Sequence, residues 1–297
     1  MRDFVKKNFG GLLIAVSFTA LLMIISLIIW WRADWLAYQV YIPKNLALSP
    51  TPLLVALHGT GGDARTTQKW LGFDELADEY GFIVIYPHSP DGQWDAGAGI
   101  LQRGMDKRTR RDDPGYIVKI IEEVAEARQI DREKVVIAGV SDGASMAIRL
   151  SCELDGTFAG MASVAATIPV YAIKNCESAK PVSALLLHGR QDPVLPWDGK
   201  SYRGVRIYLS LEESVNWWLS RNACDSQDED QDYQQYVGQV DRKHFQHCRG
   251  NTEVLVYRVN DGGHAWPMRD HPEGRTMGQV NRDIDATSVI VEWMMAL

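Results

Sequence analysis

Short, mostly apolar runs recur along the chain at 53–57, 82–86, 134–138, 160–165, 183–187 and 253–259. A strand with one wet face alternates in polarity, whereas a strand covered on both faces does not, so these runs read as the interior of a mostly parallel sheet. A first strand at 36–42 stops before Pro43. Between the runs the apolar period becomes that of a helix. Over 114–128, Pro114 opens the first turn and Ile117, Ile120, Ile121 and Val124 share one face. Further helices are predicted near 74–80, 143–153, 207–220 and 283–295. Strands alternating with helices give an α/β architecture, a sheet with helices on both faces. The sequence shows neither an internal repeat nor a second domain.

Two stretches break this rhythm. Residues 88–113 carry Trp94, several glycines and the basic residues Lys107, Arg108, Arg110 and Arg111. This stretch reads either as a loop overhanging the sheet edge or as a solvated charged loop. Residues 222–252, rich in Asp and Gln between Cys224 and Cys248, read as a surface loop rather than a ligand site.

The head of the chain follows a third pattern. Residues 9–31, Phe9 to Trp31, form an uncharged and mostly apolar run of 23 residues between Lys7 and Arg32. As a helix it is about 35 Å long, enough for a hydrocarbon core of roughly 30 Å. It ends in Ile28-Ile29-Trp30-Trp31 with Trp35 beyond, an interfacial aromatic belt, and no small-residue cleavage site follows. The expectation is one transmembrane signal anchor at 9–31 rather than a cleaved signal peptide. Arg2, Lys6 and Lys7 keep residues 1–8 in the cytoplasm, so residues 36–297 form a domain on the extracytoplasmic (periplasmic) side, or a secreted one if the segment is cut. The remaining ~265 residues suffice for one large domain.

Charge and cysteine change this picture only slightly. With 38 acidic against 31 basic residues the net charge is −7, which offers no field for nucleic acid. Four cysteines, Cys152, Cys176, Cys224 and Cys248, are an even number suited to an oxidising compartment, and they allow three connectivities. A zinc set of Cys224, His244, His247 and Cys248 fits no common ligand spacing, so no metal and no cofactor is expected.

The chemistry concentrates at three loops. Gly139-Val140-Ser141-Asp142-Gly143 joins the run at 134–138 to the predicted helix at 143–153. A serine on a sharp strand-to-helix turn needs flanks without Cβ atoms, and it projects its hydroxyl above the sheet. Asp192 follows the run at 183–187 and His264 follows the run at 253–259. A serine hydroxyl becomes a nucleophile when an imidazole takes its proton, and the imidazole needs a carboxylate to fix its tautomer. The order Ser141, Asp192, His264 is that of α/β-hydrolases. After the run at 53–57, His58-Gly59-Thr60-Gly61-Gly62-Asp63 turns backbone N–H groups toward one point, as an oxyanion requires. The donors are assigned to the amides of Thr60 and Asp142, with Gly61 able to replace Thr60. Trp94, Trp197 and Trp266 lie in loops near the nucleophile and are candidates for a substrate pocket.

Leu57-His58-Gly59-Thr60-Gly61-Gly62, Gly81-Phe82-Ile83-Val84-Ile85-Tyr86-Pro87, the Ser141 elbow, His188-Gly189 with Asp192-Pro193, and Gly263-His264-Ala265-Trp266-Pro267 together resemble the polyhydroxybutyrate depolymerase and feruloyl esterase-like α/β-hydrolases. The resemblance runs from about residue 38 to the C-terminus. It implies an α/β-hydrolase fold, hydrolysis of carboxylic esters without a metal, and Ser141, Asp192 and His264 as the triad. Pairing Cys152 with Cys176 and Cys224 with Cys248 encloses one local segment each, and the resemblance points the same way. Two positions differ from the family's usual pattern: Asp142 stands where a small residue is usual, and Thr60 where Cys is common. A carboxylate at 142 is expected to oppose the negative charge forming beside it. The same fold also hosts serine peptidases, acyltransferases and binding proteins without catalysis, and these are the alternative readings.

Overall fold

The structure is a computed structural model, and it describes residues 23, 38–44, 46, 50–96, 111–173, 176, 180–224, 234–274 and 277–297. The chain divides into two units, Met1–Ala37 and Tyr38–Leu297. The expected cytoplasmic segment 1–8 and anchor 9–31 lie outside the described residues, apart from an exposed Met23. Among the described residues no helix is long and apolar enough to cross a membrane.

In the second unit the apolar runs become β2 (Thr51–Leu57), β3 (Ile83–Tyr86), β4 (Ile130–Val140), β5 (Gly160–Val164), β6 (Ser183–Gly189) and β11 (Val254–Val259). The short β1 (Gln39–Tyr41) pairs antiparallel with β3 at one edge. The strand order is β1-β3-β2-β4-β5-β6-β11-β10-β9, and every neighbour from β3 through β11 is parallel. Alternate residues of each strand feed different cores: Leu53, Val55 and Leu57 of β2 join one cluster, Leu54 and Ala56 the other. Helices α3 (Asp113–Ala127), α4 (Asp142–Glu153) and α6 (Leu211–Asn222) pack into the first cluster. The second takes α1 (Ala64–Leu71), α2 (Phe73–Tyr80) and α7 (Ala286–Ala296). Both faces of the sheet are therefore dry, which is why its central strands need no polar alternation.

Two expectations are corrected. The predicted helix at 207–220 starts at Leu211, because Ser210 and Glu213 form a capping box and Val205–Tyr208 is instead β8, paired with β7 (Lys200–Tyr202). The predicted loop at 222–252 contains β9 (Gln234–Val237) and β10 (Val240–Phe245), and β10 pairs with β11 over six residues. Strand β10 is buried only at its ends, Val240 and Phe245, so it carries no apolar run. Helix α1 was not foreseen. It begins at an N-cap, Asp63 accepting from the Thr66 amide, and buries only Ala64, Thr67 and Leu71. A short α5 (Val170–Ile173) lies between β5 and β6.

All four cysteines are paired, Cys152 with Cys176 and Cys224 with Cys248. Each bond spans 24 residues, and each ties the end of a helix, α4 or just beyond α6, to a later segment. Two thiols of the zinc set are thereby consumed, and His244 lies against Glu253 at 2.8 Å. Thiol titration of unfolded protein prepared without reductant should find no free thiol. Replacing either pair with serine should lower the unfolding free energy in urea by about 3 kcal/mol.

Candidate active site

Strand β4 ends at Val140 and α4 starts at Asp142, leaving Ser141 to make the whole turn at φ 56° and ψ −116°. A residue with a Cβ atom held there costs on the order of 1–3 kcal/mol, so its neighbours must enforce the geometry. The Ser141 amide donates to Val164 on β5 (2.9 Å), and its carbonyl accepts from the Ser145 amide (3.0 Å). Gly139 and Gly143 pack backbone to backbone, and a Cβ on Gly143 would run into the carbonyls of Leu57 and His58. Both flanks must be bare for the turn to exist.

The three loop residues meet. His264 places Nε2 2.8 Å from the Ser141 hydroxyl and Nδ1 2.7 Å from Asp192 Oδ2. The other Asp192 oxygen accepts from the amides of Val194 and Leu195, both at 2.8 Å. A carboxylate accepts only, so Nδ1 carries the proton and Nε2 is left to receive the serine's. Asp192 and His264 are 4% and 5% exposed, which withdraws this relay from bulk water. His188, fully buried, directs Nε2 at the Leu195 carbonyl (3.0 Å), and burial pushes its pKa down. A neutral His188 donating there holds the loop whose amides hold Asp192.

At the glycine loop the structure separates the two proposed donors. The Gly61 amide donates to the Gly92 carbonyl (2.7 Å) and the Gly62 amide to the Gly59 carbonyl (3.0 Å). Among the described residues, the Thr60 amide has no protein partner. Asp142 is the first residue of α4, where the helix supplies no acceptor one turn back. His58 anchors the loop: Nδ1 donates to the Gly59 carbonyl (2.8 Å) and Nε2 accepts from the Ser89 amide (3.0 Å). Burial lowers its pKa to about 4, so it stays neutral.

The three tryptophans are placed differently from the pocket expectation. Trp94 is 3% exposed; its indole N–H donates to the His58 carbonyl (2.9 Å) and its ring lies 4.7 Å from the imidazole. Trp266 borders the cleft, but its indole is buried edge-on against Phe73 and donates to Thr287 (3.0 Å). Trp197 sits under the guanidinium groups of Arg190 and Arg258, outside the described cleft lining. Trp94 and Trp266 spend their indole N–H groups on fixed acceptors within the fold, and Trp197 is engaged by the two guanidinium groups.

A cleft of about 470 Å³ opens at Ser141 and His264. The glycine loop forms one wall, Trp70 of α1 a second, and residues between Ala265 and Gly274 with Met277, Gly278 and Val280 a third. Trp70 and His271 face each other at 5.1 Å. Neither was foreseen; the available signal was the long irregular stretch between His264 and the last helix. Arg111, in the stretch read either as an overhanging or as a solvated loop, binds Asp91, Ser89 and the Gln93 carbonyl, while Lys107, Arg108 and Arg110 lie outside the described residues.

Comparison with known proteins gives a family and a shared fold. The family described as Esterase PHB depolymerase matches residues 36–232, two thirds of the chain. Feruloyl esterase C of Emericella nidulans is 26% identical over 235 residues, 76% of this chain and 75% of that protein. A bifunctional acetylxylan esterase/xylanase of Neocallimastix patriciarum is 28% identical over 173 residues, 58% of this chain but only 23% of that protein. The solved acetyl xylan esterase of Aspergillus awamori shares the fold, with a TM-score of 0.59 at 16% identity over 87% of this chain and 93% of that one.

The neutral His58 generates a prediction. Above its unfolded pKa of about 6.5 neither state holds the proton; as pH falls from there to about 4 the unfolded chain gains a proton that the folded chain refuses. Stability present above pH 6.5 should therefore be lost over that window, by about 3 kcal/mol from this residue. Urea unfolding across the window should show a shallower decline for His58→Asn than for the natural protein.

Proposed function

The chain belongs to the PHB depolymerase family of esterases, and from that premise we propose that it is a serine carboxylic-ester hydrolase working through an acyl-enzyme. The observation that carries the reading is the continuous chain from the Ser141 hydroxyl through His264 to Asp192, at 2.8 and 2.7 Å. Ser141 Oγ attacks the ester carbonyl carbon while its proton passes to His264 Nε2. The carbonyl π pair becomes an oxyanion facing the amides of Thr60 and Asp142, and Asp192 balances the imidazolium. Collapse breaks the bond to the alkoxy oxygen, which leaves with the proton from His264. A water molecule then repeats the sequence on the acyl-serine, releasing the acid and restoring the serine. No step calls for a metal or an organic cofactor.

The substrate is a carboxylic ester of a size set by the cleft, and the relatives' names direct attention to aromatic and acetyl esters of polysaccharides. We place the catalytic domain outside the cytoplasm, held to the membrane by residues 9–31. Two disulfides and the uncharged run between Lys7 and Arg32 support that placement.

The test uses the full chain in mild detergent with p-nitrophenyl acetate, beside Ser141→Ala. Turnover should fall by at least about a thousandfold in the variant. A fluorophosphonate should label the natural protein and not the variant. Labelling without ester turnover would favour a peptidase or acyltransferase, and absence of both would favour a binding protein.

A further inference from the structure

We infer that the carboxylate of Asp142 is a positioning residue: through the Ser89–Trp94 turn it sets the distance between the two halves of the oxyanion hole. This rests on the proposed esterase reading, which assigns the hole to the amides of Thr60 and Asp142. Four hydrogen bonds carry the inference, and all converge on the one turn that follows β3. On the elbow side, the Trp94 amide donates to Asp142 Oδ2 at 2.7 Å. On the glycine-loop side, the Trp94 indole donates to the His58 carbonyl (2.9 Å), the Ser89 amide to His58 Nε2 (3.0 Å), and the Gly61 amide to the Gly92 carbonyl (2.7 Å). Thr60 is thus held from both sides, through His58 and through Gly61.

The turn has its own fastenings. Arg111 binds Asp91, Ser89 and the Gln93 carbonyl, and the Asp95 amide donates to Asp113 (2.7 Å). The contact between the turn and the glycine loop leaves no slack, since a Cβ on Gly92 would lie 3.1 Å from the Gly61 Cα. A rigid strut therefore reaches from α4 to the loop that bears Thr60, and Asp142 is its fixing point at the nucleophile end. A glycine or alanine at 142 has no side-chain oxygen to take the Trp94 amide. A charged acceptor grips a peptide N–H more strongly than a neutral one does. The negative charge beside a developing oxyanion is then the consequence of a better-spaced hole, and the two effects are separable by substitution.

The experiment measures kcat and KM of the full chain in detergent on p-nitrophenyl acetate, and inhibition by phenylboronic acid, whose tetrahedral serine adduct puts an oxygen in the hole. Asp142→Ala should lower kcat about 10- to 100-fold with KM within about twofold, and should weaken phenylboronic acid by a similar factor. Asp142→Asn keeps an acceptor for the Trp94 amide without the charge, and should recover most of that kcat. Trp94→Phe keeps the ring and removes the indole N–H. Because it acts in the same strut, combining it with Asp142→Ala should cost less than the product of the single losses. Amide exchange at Gly61 should quicken in Asp142→Ala whether or not the chain turns over esters. The positioning role is overturned if Asp142→Ala equals or exceeds the natural kcat, if Asp142→Asn falls as far as Asp142→Ala, if the double variant is multiplicative, or if Gly61 exchange is unchanged. An inactive natural protein that fluorophosphonate does not label would instead sink the esterase reading, leaving Gly61 exchange to decide the strut.

Discussion

The site depends on how closely α4 begins against the end of β2. Strands β2 and β4 are parallel neighbours in register from Leu53 opposite Val135 to Leu57 opposite Gly139, so the elbow and the glycine loop leave the sheet side by side. The bare Gly143 lets the first turn of α4 rest on the carbonyls of Leu57 and His58. Ser141 is forced into its positive-φ turn by that contact, and Thr60 is brought beside it by the same contact. A methyl group between them would separate Ser141 from Thr60, the proposed nucleophile from a proposed oxyanion donor, and relieve the turn at once. Strain at Ser141 and proximity of Thr60 are therefore two results of one packing constraint.

Around this contact the protein keeps buried groups either neutral or saturated. His58 and His188 lie in the interior without charge, each giving its proton to a carbonyl of the loop it supports. Asp192 is the buried group that receives the imidazole proton donor, and both of its oxygens are occupied by N–H donors before any substrate arrives. A carboxylate left with an unfilled oxygen in such a place would pull in water or another proton. Here its acceptor capacity is directed at His264 and its own loop, as the proposed proton path requires.

How much of this was legible follows from what kind of interaction places each part. Central strands such as β2 and β6 are dry on both faces, and continuous apolar runs record that directly. The elbow is legible because Gly139 and Gly143 answer a steric demand, and Asp192 and His264 because each immediately follows a dry strand. Strand β10 was not legible, because a strand toward the sheet's rim pays for its place with backbone hydrogen bonds and shows polar side chains. Helix α1 lies between a cap at Asp63 and a glycine at position 72, with too few buried residues for a stripe. The tryptophans mislead for a related reason: position near the nucleophile in sequence does not tell whether an indole faces the cleft or the sheet. Trp94 and Trp266 face inward, whereas Trp70, next to the buried Leu71 at the end of α1, lines the cleft.

The segment from Ala265 to Val280 has two tasks that cannot be varied separately. It follows directly on His264, the proposed base, and it supplies His271 and Met277 to the cleft wall. It is also fastened beneath the base: the His264 amide donates to the Met277 carbonyl at 2.7 Å, and the Gly263 amide to the Gln279 carbonyl at 2.8 Å. A substitution that widens the cleft at Met277 therefore acts on a residue whose backbone holds His264. Trp70 belongs to α1, whose cap at Asp63 and buried residues take no part in those backbone hydrogen bonds, although its ring meets His271 at 5.1 Å. Change at the Trp70 wall can alter which ester fits while leaving the proton path intact, and change at the 265–280 wall alters both. Substrate preference in this protein is consequently free to drift on the α1 side and constrained on the other.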